Sequence, residues 1–276
     1  MKKKTYRNTM MWVLNNKAVI LTIIMLMVSV ILTSGTALGS HNITGVMRQI
    51  SVLAIISIGY TIILAGGMMD LSVGSIVGLC GICYGLASRV MPLWAALLLS
   101  LLIGCICELF NGAMGRIFSL PNFVLTLASG EIFKGIAYII TDGKSVGGLS
   151  DSVKFLGQGR IFGFLPMPFF IMIIVVILMA ILLGKTTYGR HVLAVGGNAA
   201  AAEISGIRVG FTKISTMMIG GLCFGLGAAV LTGRVASAIP GAGDNYLMDS
   251  IAAVVIGGTP MHGGKAKVVG TLFGVA

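Results

Sequence analysis

The stretch GKTTYGRHVLAVGGNAAAAEISGIRVGFTK, at residues 184–213, separates two long apolar runs and indicates a membrane fold. The run before it, 161–183, has 23 residues without a charge, and the run after it, 214–233, has 20. A helix needs about 20 apolar residues to cross a bilayer. The stretch itself carries four Lys or Arg residues and one acid. Because basic loops of membrane proteins face the cytoplasm, we predict a cytoplasmic loop whose Ala-rich middle forms a short helix outside the bilayer.

The composition supports a membrane protein and excludes other classes. Hydrophobic residues make up 57% of the chain and charged residues 10%, whereas soluble domains carry about 25% charged residues. The 40 glycines allow helices to pack closely in lipid. The net charge of +11 does not indicate nucleic-acid binding, because the cations lie in short loops, where positive charge sets membrane orientation. We predict a polytopic protein surrounded by membrane lipid, with no nucleic-acid partner.

The charge-poor runs predict eight helices and the beginning of a ninth. With the N-terminus in the cytoplasm, the cytoplasmic segments, including Lys2–Arg7, carry twelve Lys and Arg residues, and the external ones, including 141–167, carry six. The fold class is therefore an all-α helical membrane bundle, one transmembrane domain over 1–276. The run 268–276 is too short to cross a bilayer, so we expect the last one or two helices to be missing. The predicted helices are 18–34, 49–69, 71–88, 90–114, 122–140, 168–183, 214–232, 247–257 and one from 268.

The segment AGGMMDLSVGS, at 65–75, interrupts the second and third of these spans. Gly66 and Gly67 loosen the helix, and Asp70 places an acid near membrane depth. Short oxygen side chains satisfy free N–H groups where helices begin, so we expect Asp70 and Ser72 to cap the next helix. An acid at this depth is also a candidate functional residue. The alternatives for Asp70 and Ser72 are a packing switch, a role in the translocation path or its gating, and ion coupling.

A second interruption is NGAMGRIFSLPNFVLTL, at 111–127. Pro121 breaks the helix there, and Asn122 can cap the helix that follows. The functional alternative places Asn111 and Phe123 beside the translocation path.

Two pairs of polar residues lie three positions apart on predicted helices, which places each pair on one helix face. The first is Glu108 with Asn111. The second is Glu131 with Lys134, which we expect to pair with each other.

A third interruption, IAAVVIGGTPMHGGKAKVVGTLFG at 251–274, repeats the pattern of IILAGGMMDLSVGSIVGLCG at 62–81. In both, an apolar run meets paired glycines, a short polar turn and a Gly-containing helix. Two interrupted segments in corresponding halves indicate an internal repeat, and transport sites lie where such repeats meet.

The sequence indicates no catalytic residue, metal site or cofactor in this chain. The five cysteines lie in apolar runs, where a free Cys packs as a small hydrophobe. The three histidines lie in separate loops. The segment 258–265 does not match the spacing of a phosphate-binding loop, because Ala266 follows the Lys.

Five motifs together resemble the ribose/xylose/galactose-type permeases of bacterial ABC importers, from about residue 45 to the end. Of these motifs, the one at 187–207 is the most specific. The motifs are GGMMDLSVGS (66–75), NGAMGR (111–116), PNFVLTL (121–127), TYGRHVLAVGGNAAAAEISGI (187–207) and AAVVIGGTPMHGGKAKVVGT (252–271).

The resemblance implies a subunit of a bacterial inner-membrane importer that usually has ten helices. Its partners would be a second permease subunit, as a homodimer or heterodimer, and two cytoplasmic ATPase subunits that bind ATP and Mg. A periplasmic or lipid-tethered sugar-binding protein would deliver a monosaccharide or a related small polar solute. The alternative is an ion-coupled secondary transporter, for which intramembrane ionisable groups are typical.

The loop at 184–213 is the predicted contact with the ATPase. Its small residues allow a short helix to enter a groove on a partner, with Arg190 and Glu203 at the rim and Gly206 ending the helix. The coupling residues are predicted to be Gly189, Arg190, Ala194, Gly196, Gly197, Asn198, Ala201, Glu203 and Gly206.

Overall fold

The computed structural model describes residues 17–118 and 120–276, and the described residues form α-helices with one short hairpin. The predicted cytoplasmic segment Lys2–Arg7 lies outside the described residues. The first half contains α1 (Lys17–Leu32), a single 3-10 turn (Thr36–Leu38), α2 (Ser40–Ala65), α3 (Val73–Ala87), α4 (Leu93–Ile117) and α5 (Asn122–Thr141).

The second half begins with a short helix and hairpin and then returns to long helices. Its elements are α6 (Asp151–Gln158), β1 (Arg160–Ile161), β2 (Leu165–Pro166), α7 (Met167–Lys185), α8 (Thr187–Gly197), α9 (Ala199–Ile204), α10 (Val209–Val235), α11 (Asp244–Ile256) and α12 (Val268–Val275). The all-α membrane class predicted from the sequence is confirmed: five of the described helices, α2, α4, α5, α7 and α10, are long and apolar enough to cross a bilayer.

Helices α2 and α10 form the centre of the bundle. In the most apolar 18-residue stretch of α2 and of α10, 67% of the residues are buried, whereas in those of α4, α5 and α7 the share is 28%. The outer helices therefore present apolar side chains to their surroundings, and α4 exposes Leu98, Leu102 and Ile106. A helix that is apolar on its outward face is suited to lipid or to another membrane subunit.

Small residues allow α4 and α10 to approach closely. A Cβ added to Gly104 would lie 2.2 Å from the carbonyl oxygen of Gly221, and one added to Gly225 would lie 2.4 Å from the carbonyl of Ser100. The Ser100 hydroxyl donates a hydrogen bond to the carbonyl of Gly225 at 2.8 Å. These contacts follow the small-residue rule for packing in lipid, and they bring the middle of α4 against the core.

The segment between α5 and α7 covers one end of the bundle. Val146 pairs with Ala238 in an isolated antiparallel bridge, and Gly157 of α6 packs directly on the backbone of Arg234. We call this the hairpin end, and the opposite end, where α2 ends and α10 begins, the loop end.

The pairing predicted for Glu131 and Lys134 is wrong. The Lys134 amine instead contacts the Asp244 carboxylate at 2.8 Å, and Glu131 is exposed. Asp244 is the first residue of α11, where an acid is favoured by the helix dipole. The ion pair therefore joins α5 to α11.

Candidate functional site

The 184–213 loop folds into two short helices rather than the single helix predicted. The Thr186 hydroxyl accepts a hydrogen bond from the Gly189 N–H at 3.0 Å and caps the start of α8. Asn198 is extended, with φ of −159°, and its side-chain oxygen accepts from the Ala201 N–H at 3.0 Å. Asn198 thus ends α8 and caps α9, because its side chain replaces a missing backbone partner. Gly206 follows α9 with φ of +84°, the left-handed geometry expected of a glycine that ends a helix.

The residues predicted to contact an ATPase divide between two faces of the loop. Gly189 is buried against the bundle, together with Val192, Val195 and Ala202, and Gly196 is half-buried. The exposed face carries Arg190, Ala194, Gly197, Asn198, Ala201, Glu203 and Gly206. Ile204, at the end of α9, is 90% exposed. The loop therefore packs on the bundle through one face and offers the other, with small, charged and apolar residues, for contact with a partner.

The buried face of α8 meets the bundle at Gly196. A Cβ added to Gly196 would lie 1.9 Å from the carbonyl oxygen of Ala65 and 2.8 Å from the backbone nitrogen of Gly264. The Gly264 N–H in turn donates a hydrogen bond to the Ala65 carbonyl at 2.9 Å. Ala65 is the last residue of α2. Only glycine fits between these two backbone segments.

Gly67 and Gly263 close the same contact from the other side. A Cβ added to Gly263 would lie 2.6 Å from Cα of Gly67 and 2.9 Å from the carbonyl oxygen of Gly196. Both glycines have positive φ, +74° at Gly67 and +79° at Gly263, a conformation that glycine adopts at no steric cost. We call the meeting of 65–67, 196–197 and 263–264 the glycine junction.

The two segments that meet α8 at the junction share one architecture, as the internal repeat predicts. Each is a helix, a glycine-containing break and a second helix: α2 with α3, and α11 with α12. The hydroxyls of Thr61 and Thr271 lie 2.9 Å apart in the buried interface of α2 and α12. The repeated elements therefore pack on each other next to the loop.

A buried polar cluster begins at the first break. The Asp70 Oδ1 atom accepts hydrogen bonds from the Ser72 N–H at 2.7 Å and from the Ser72 hydroxyl at 2.6 Å. Asn111 on α4 donates to the Ser72 oxygen at 2.9 Å and accepts from the Ser129 hydroxyl of α5 at 2.6 Å. Each of these residues is at most 2% exposed. The chain of hydrogen bonds ties the break to both α4 and α5.

Three of the four predicted path or gating residues, Asp70, Ser72 and Asn111, lie together in this cluster. Phe123 does not, because its side chain is 49% exposed on the outside of α5. The predicted cap is also wrong in its details. Ser72 is the N-cap residue of α3 but its side chain makes no capping hydrogen bond, since the Ser72 hydroxyl is directed to Asp70. Asn122 does not cap α5, whose N-cap residue is Pro121.

The sequence reasoning missed the contribution of α5 to the cluster. The Leu71 N–H donates to the Thr126 hydroxyl at 2.9 Å, and Ser129, one turn later, reaches Asn111. Their spacing of three residues on an otherwise apolar helix is a signal that could have identified them, because such residues share a helix face.

A cavity of about 400 Å³ opens at the loop end between the first break and the loop. Met68 of the break, Arg116 at the end of α4, Glu203 of α9 and Lys213 of α10 line it. Three of these four side chains, those of Arg116, Glu203 and Lys213, are charged. Among the described residues, no group of three His, Cys, Asp or Glu is placed to hold a metal ion.

Residues 42–276 match the family described as "Branched-chain amino acid transport system / permease component". This chain belongs to that family. The membership makes it a multi-pass membrane permease component, and it confirms the resemblance seen in the five motifs. No solved structure matches the chain.

Named relatives are sugar permeases. The chain is 37% identical over 238 residues to the ribose import permease protein of Bacillus subtilis (strain 168), which covers 85% of this chain and 73% of the relative. It is 34% identical over 275 residues to the ribose import permease protein of Escherichia coli (strain K12), covering 96% and 84%. It is 35% identical over 242 residues to the D-allose transport system permease protein of the same strain, covering 86% and 73%.

Proposed function

We propose that this permease component is the membrane-spanning subunit of an ATP-driven ABC importer that moves a monosaccharide or a related small polar solute by alternating access. The names of the relatives support a sugar, since they include ribose, D-allose and L-arabinose permeases.

The glycine junction is the observation that carries the mechanism. The exposed face of α8 and α9 would dock on a cytoplasmic ATPase subunit, and the buried end of α8 touches both breaks backbone to backbone. Closely packed backbones cannot absorb a displacement, since interiors have low compressibility. A movement of the loop therefore displaces the Gly66–Gly67 break and the Gly263–Gly264 break together. Coupling of this kind needs an element that can adopt two conformations. We assign that role to the repeated helix–break–helix units.

The assembly proposed around this chain has three kinds of partner. Two ATPase subunits bind ATP and Mg on the loop side, so that the hydrolysis step and its cofactors lie outside this chain. A periplasmic or lipid-tethered sugar-binding protein delivers solute at the hairpin end, and a second permease subunit completes the channel. This arrangement places the chain in the bacterial cytoplasmic membrane with its N-terminus and the 184–213 loop in the cytoplasm.

The experiment that tests this function is transport by the reconstituted complex. The chain is incorporated in proteoliposomes with candidate ATPase and binding-protein partners encoded beside it, and uptake of labelled ribose, xylose, allose and arabinose is measured. We expect uptake that requires ATP and the binding protein and that is unchanged when proton and sodium gradients are dissipated. Uptake by this chain alone, driven by an ion gradient, would instead identify a secondary transporter and refute the proposal.

A further inference from the structure

A second buried carboxyl group, that of Glu108, lies beside the polar cluster, one turn before Asn111 on α4. Asp70 in the first break and Glu108 on α4 are both 0% exposed, and Glu108 lies within side-chain hydrogen-bonding reach of Asp70. The titratable groups that face the pair are Tyr60 from α2, Cys80 from α3 and Cys105 and Cys107 from α4. Among the described residues, neither carboxyl forms an ion pair with a Lys, Arg or His within 4.0 Å; the ion pairs are Lys134–Asp244 and Lys154–Asp151. Two adjacent carboxylates without a cation are strongly disfavoured in such a site.

The hydrogen bonding of the pair is incomplete when both groups are ionised. Asp70 Oδ2 and both carboxyl oxygens of Glu108 then have no donor. The Tyr60 hydroxyl is also without a partner and 0% exposed, and it lies close enough to interact with both carboxyls. Buried polar atoms without partners are rare in folded proteins and indicate a missing ligand or proton. A proton on one carboxyl supplies the missing donor, because it converts an acceptor into an O–H group.

We propose that Asp70 and Glu108 form a proton-binding site that holds one proton, with Glu108 as the carboxylic acid and Asp70 as the carboxylate. The assignment follows from the neighbours of each group. Asp70 Oδ1 accepts two hydrogen bonds from Ser72, at 2.7 and 2.6 Å, and such bonds stabilise a charged carboxylate. The Asn111 amide lies near Glu108 but donates to the Ser72 oxygen, so both carboxyl oxygens of Glu108 are left without a donor and its protonated form is the less costly one. The Glu108 O–H then donates to Asp70 Oδ2.

The shared proton connects the first break to α4. It leaves a single negative charge where two would repel, and the acid–carboxylate hydrogen bond is of the strong, charge-assisted kind. Both groups are fully buried, so the proton is held within the fold rather than passed across the membrane. The site therefore goes beyond the proposed transport function and does not depend on it.

The pH dependence of stability tests the site. Both carboxyls ionise in the unfolded chain above about pH 4, so folding takes up one proton. The unfolding equilibrium constant then rises by about tenfold per pH unit for as long as the folded chain keeps the proton. Glu108→Gln preserves the size and supplies an N–H donor, but it cannot release a proton. We expect the stability of the wild type relative to this variant to fall with rising pH by that slope.

Glu131→Gln is the matched control, because Glu131 is exposed on the neighbouring helix α5. This control is expected to keep the wild-type pH slope. Thermal or denaturant unfolding of the purified full chain in detergent provides the measurement. Parallel pH profiles for the wild type and Glu108→Gln would overturn the proposal.

Infrared spectroscopy detects a protonated carboxyl group directly in the wild type, so this test does not require a stable variant. At neutral pH the wild type should show the carbonyl stretch of an un-ionised carboxyl group, which Glu131→Gln keeps and Glu108→Gln loses. A wild-type spectrum without this band overturns the proposal, even if Glu108→Gln fails to fold.

A bound sodium ion is the competing occupant. Stabilisation of the wild type by NaCl but not by KCl at equal ionic strength, absent in Glu108→Gln, would show that occupant and also overturn the proposal.

Discussion

Asn111 is the residue on which the polar cluster depends most directly. Its amide bridges the hydroxyls of Ser72 and Ser129, so one side chain joins the first break to α5. The side chain is fully buried. Breaking its hydrogen bonds is therefore costly, because buried polar groups are left without partners.

Replacement of Asn111 by Ala should therefore destabilise the protein by about 1–3 kcal/mol, since the Ser72 and Ser129 hydroxyls lose buried partners. Asn122→Ala is the control. Asn122 is half-buried and contacts the sulfur of Met217 at 3.7 Å, so its loss should cost at most about 1 kcal/mol. Unfolding of both variants by heat in detergent gives the comparison. Equal stability of the two variants would mean that the cluster does not hold the break in place.

Single residues also mark where sequence reasoning succeeded and failed. Gly206 could be predicted as a helix end because its role is local. Lys134 could not be assigned its partner, because Asp244 reaches it only through the packing of α5 on α11. The Ser72 side chain failed for a different reason: it was predicted to cap α3, but its hydroxyl donates to Asp70, an acceptor only two residues away.

At the scale of elements, α8 and α9 have one face that packs on the bundle and one face that is free to contact a partner. The face that carries Ala201 is exposed, and the face that carries Val192 and Val195 packs on the bundle. A bulky residue on the exposed face should therefore disturb a partner without disturbing the fold.

Ala201→Trp is expected to weaken binding of the ATPase subunit and to lower ATP-driven uptake, because a large side chain prevents a close helix–groove fit. Ala201→Ser, which adds little volume at the same exposed position, is the control and should bind like the wild type. Arg190→Glu should act in the same direction as Ala201→Trp by reversing a charge at the rim. Co-purification of the ATPase with each variant is the measurement. Full binding and transport by both Ala201→Trp and Arg190→Glu would show that the exposed face is not the contact.

The elements themselves were predictable from the sequence to within a few residues for the spans beginning at 71, 122 and 168. Charge-free runs and paired glycines are strong local signals in a membrane protein. The glycine junction was not predictable, because it joins 65–67, 196–197 and 263–264, three segments far apart in the chain. Their glycines were visible in the sequence, but only the fold shows that they contact one another.

For the whole molecule, the proposed orientation in the membrane rests on the distribution of cations between the two ends. Ser145 lies in the segment between α5 and α6, and Ala200 lies in α9; both are exposed. In a background without the native cysteines, Ser145→Cys should be labelled by an impermeant thiol reagent from outside the cell. Ala200→Cys should be labelled only after the membrane is opened. Labelling of both positions from the same side would refute the proposed orientation.

The central claim is that displacement of the loop reaches the breaks through the glycine junction. Gly196 and Gly197 are adjacent residues of α8 that differ in the space around them. A Cβ on Gly196 would lie 1.9 Å from the Ala65 carbonyl oxygen, whereas a Cβ on Gly197 would meet nothing closer than 3.7 Å. Overpacking of this kind costs about 1–3 kcal/mol, which corresponds to about 5- to 150-fold in a rate.

The decisive measurement is ATP-driven sugar uptake by the reconstituted complex with Gly196→Ala and with Gly197→Ala, normalised to the amount of ATPase subunit bound. We predict that Gly196→Ala binds the ATPase but that its uptake falls by about fivefold or more, while Gly197→Ala transports like the wild type. Wild-type uptake by Gly196→Ala, or equal losses in the two variants, would contradict the account.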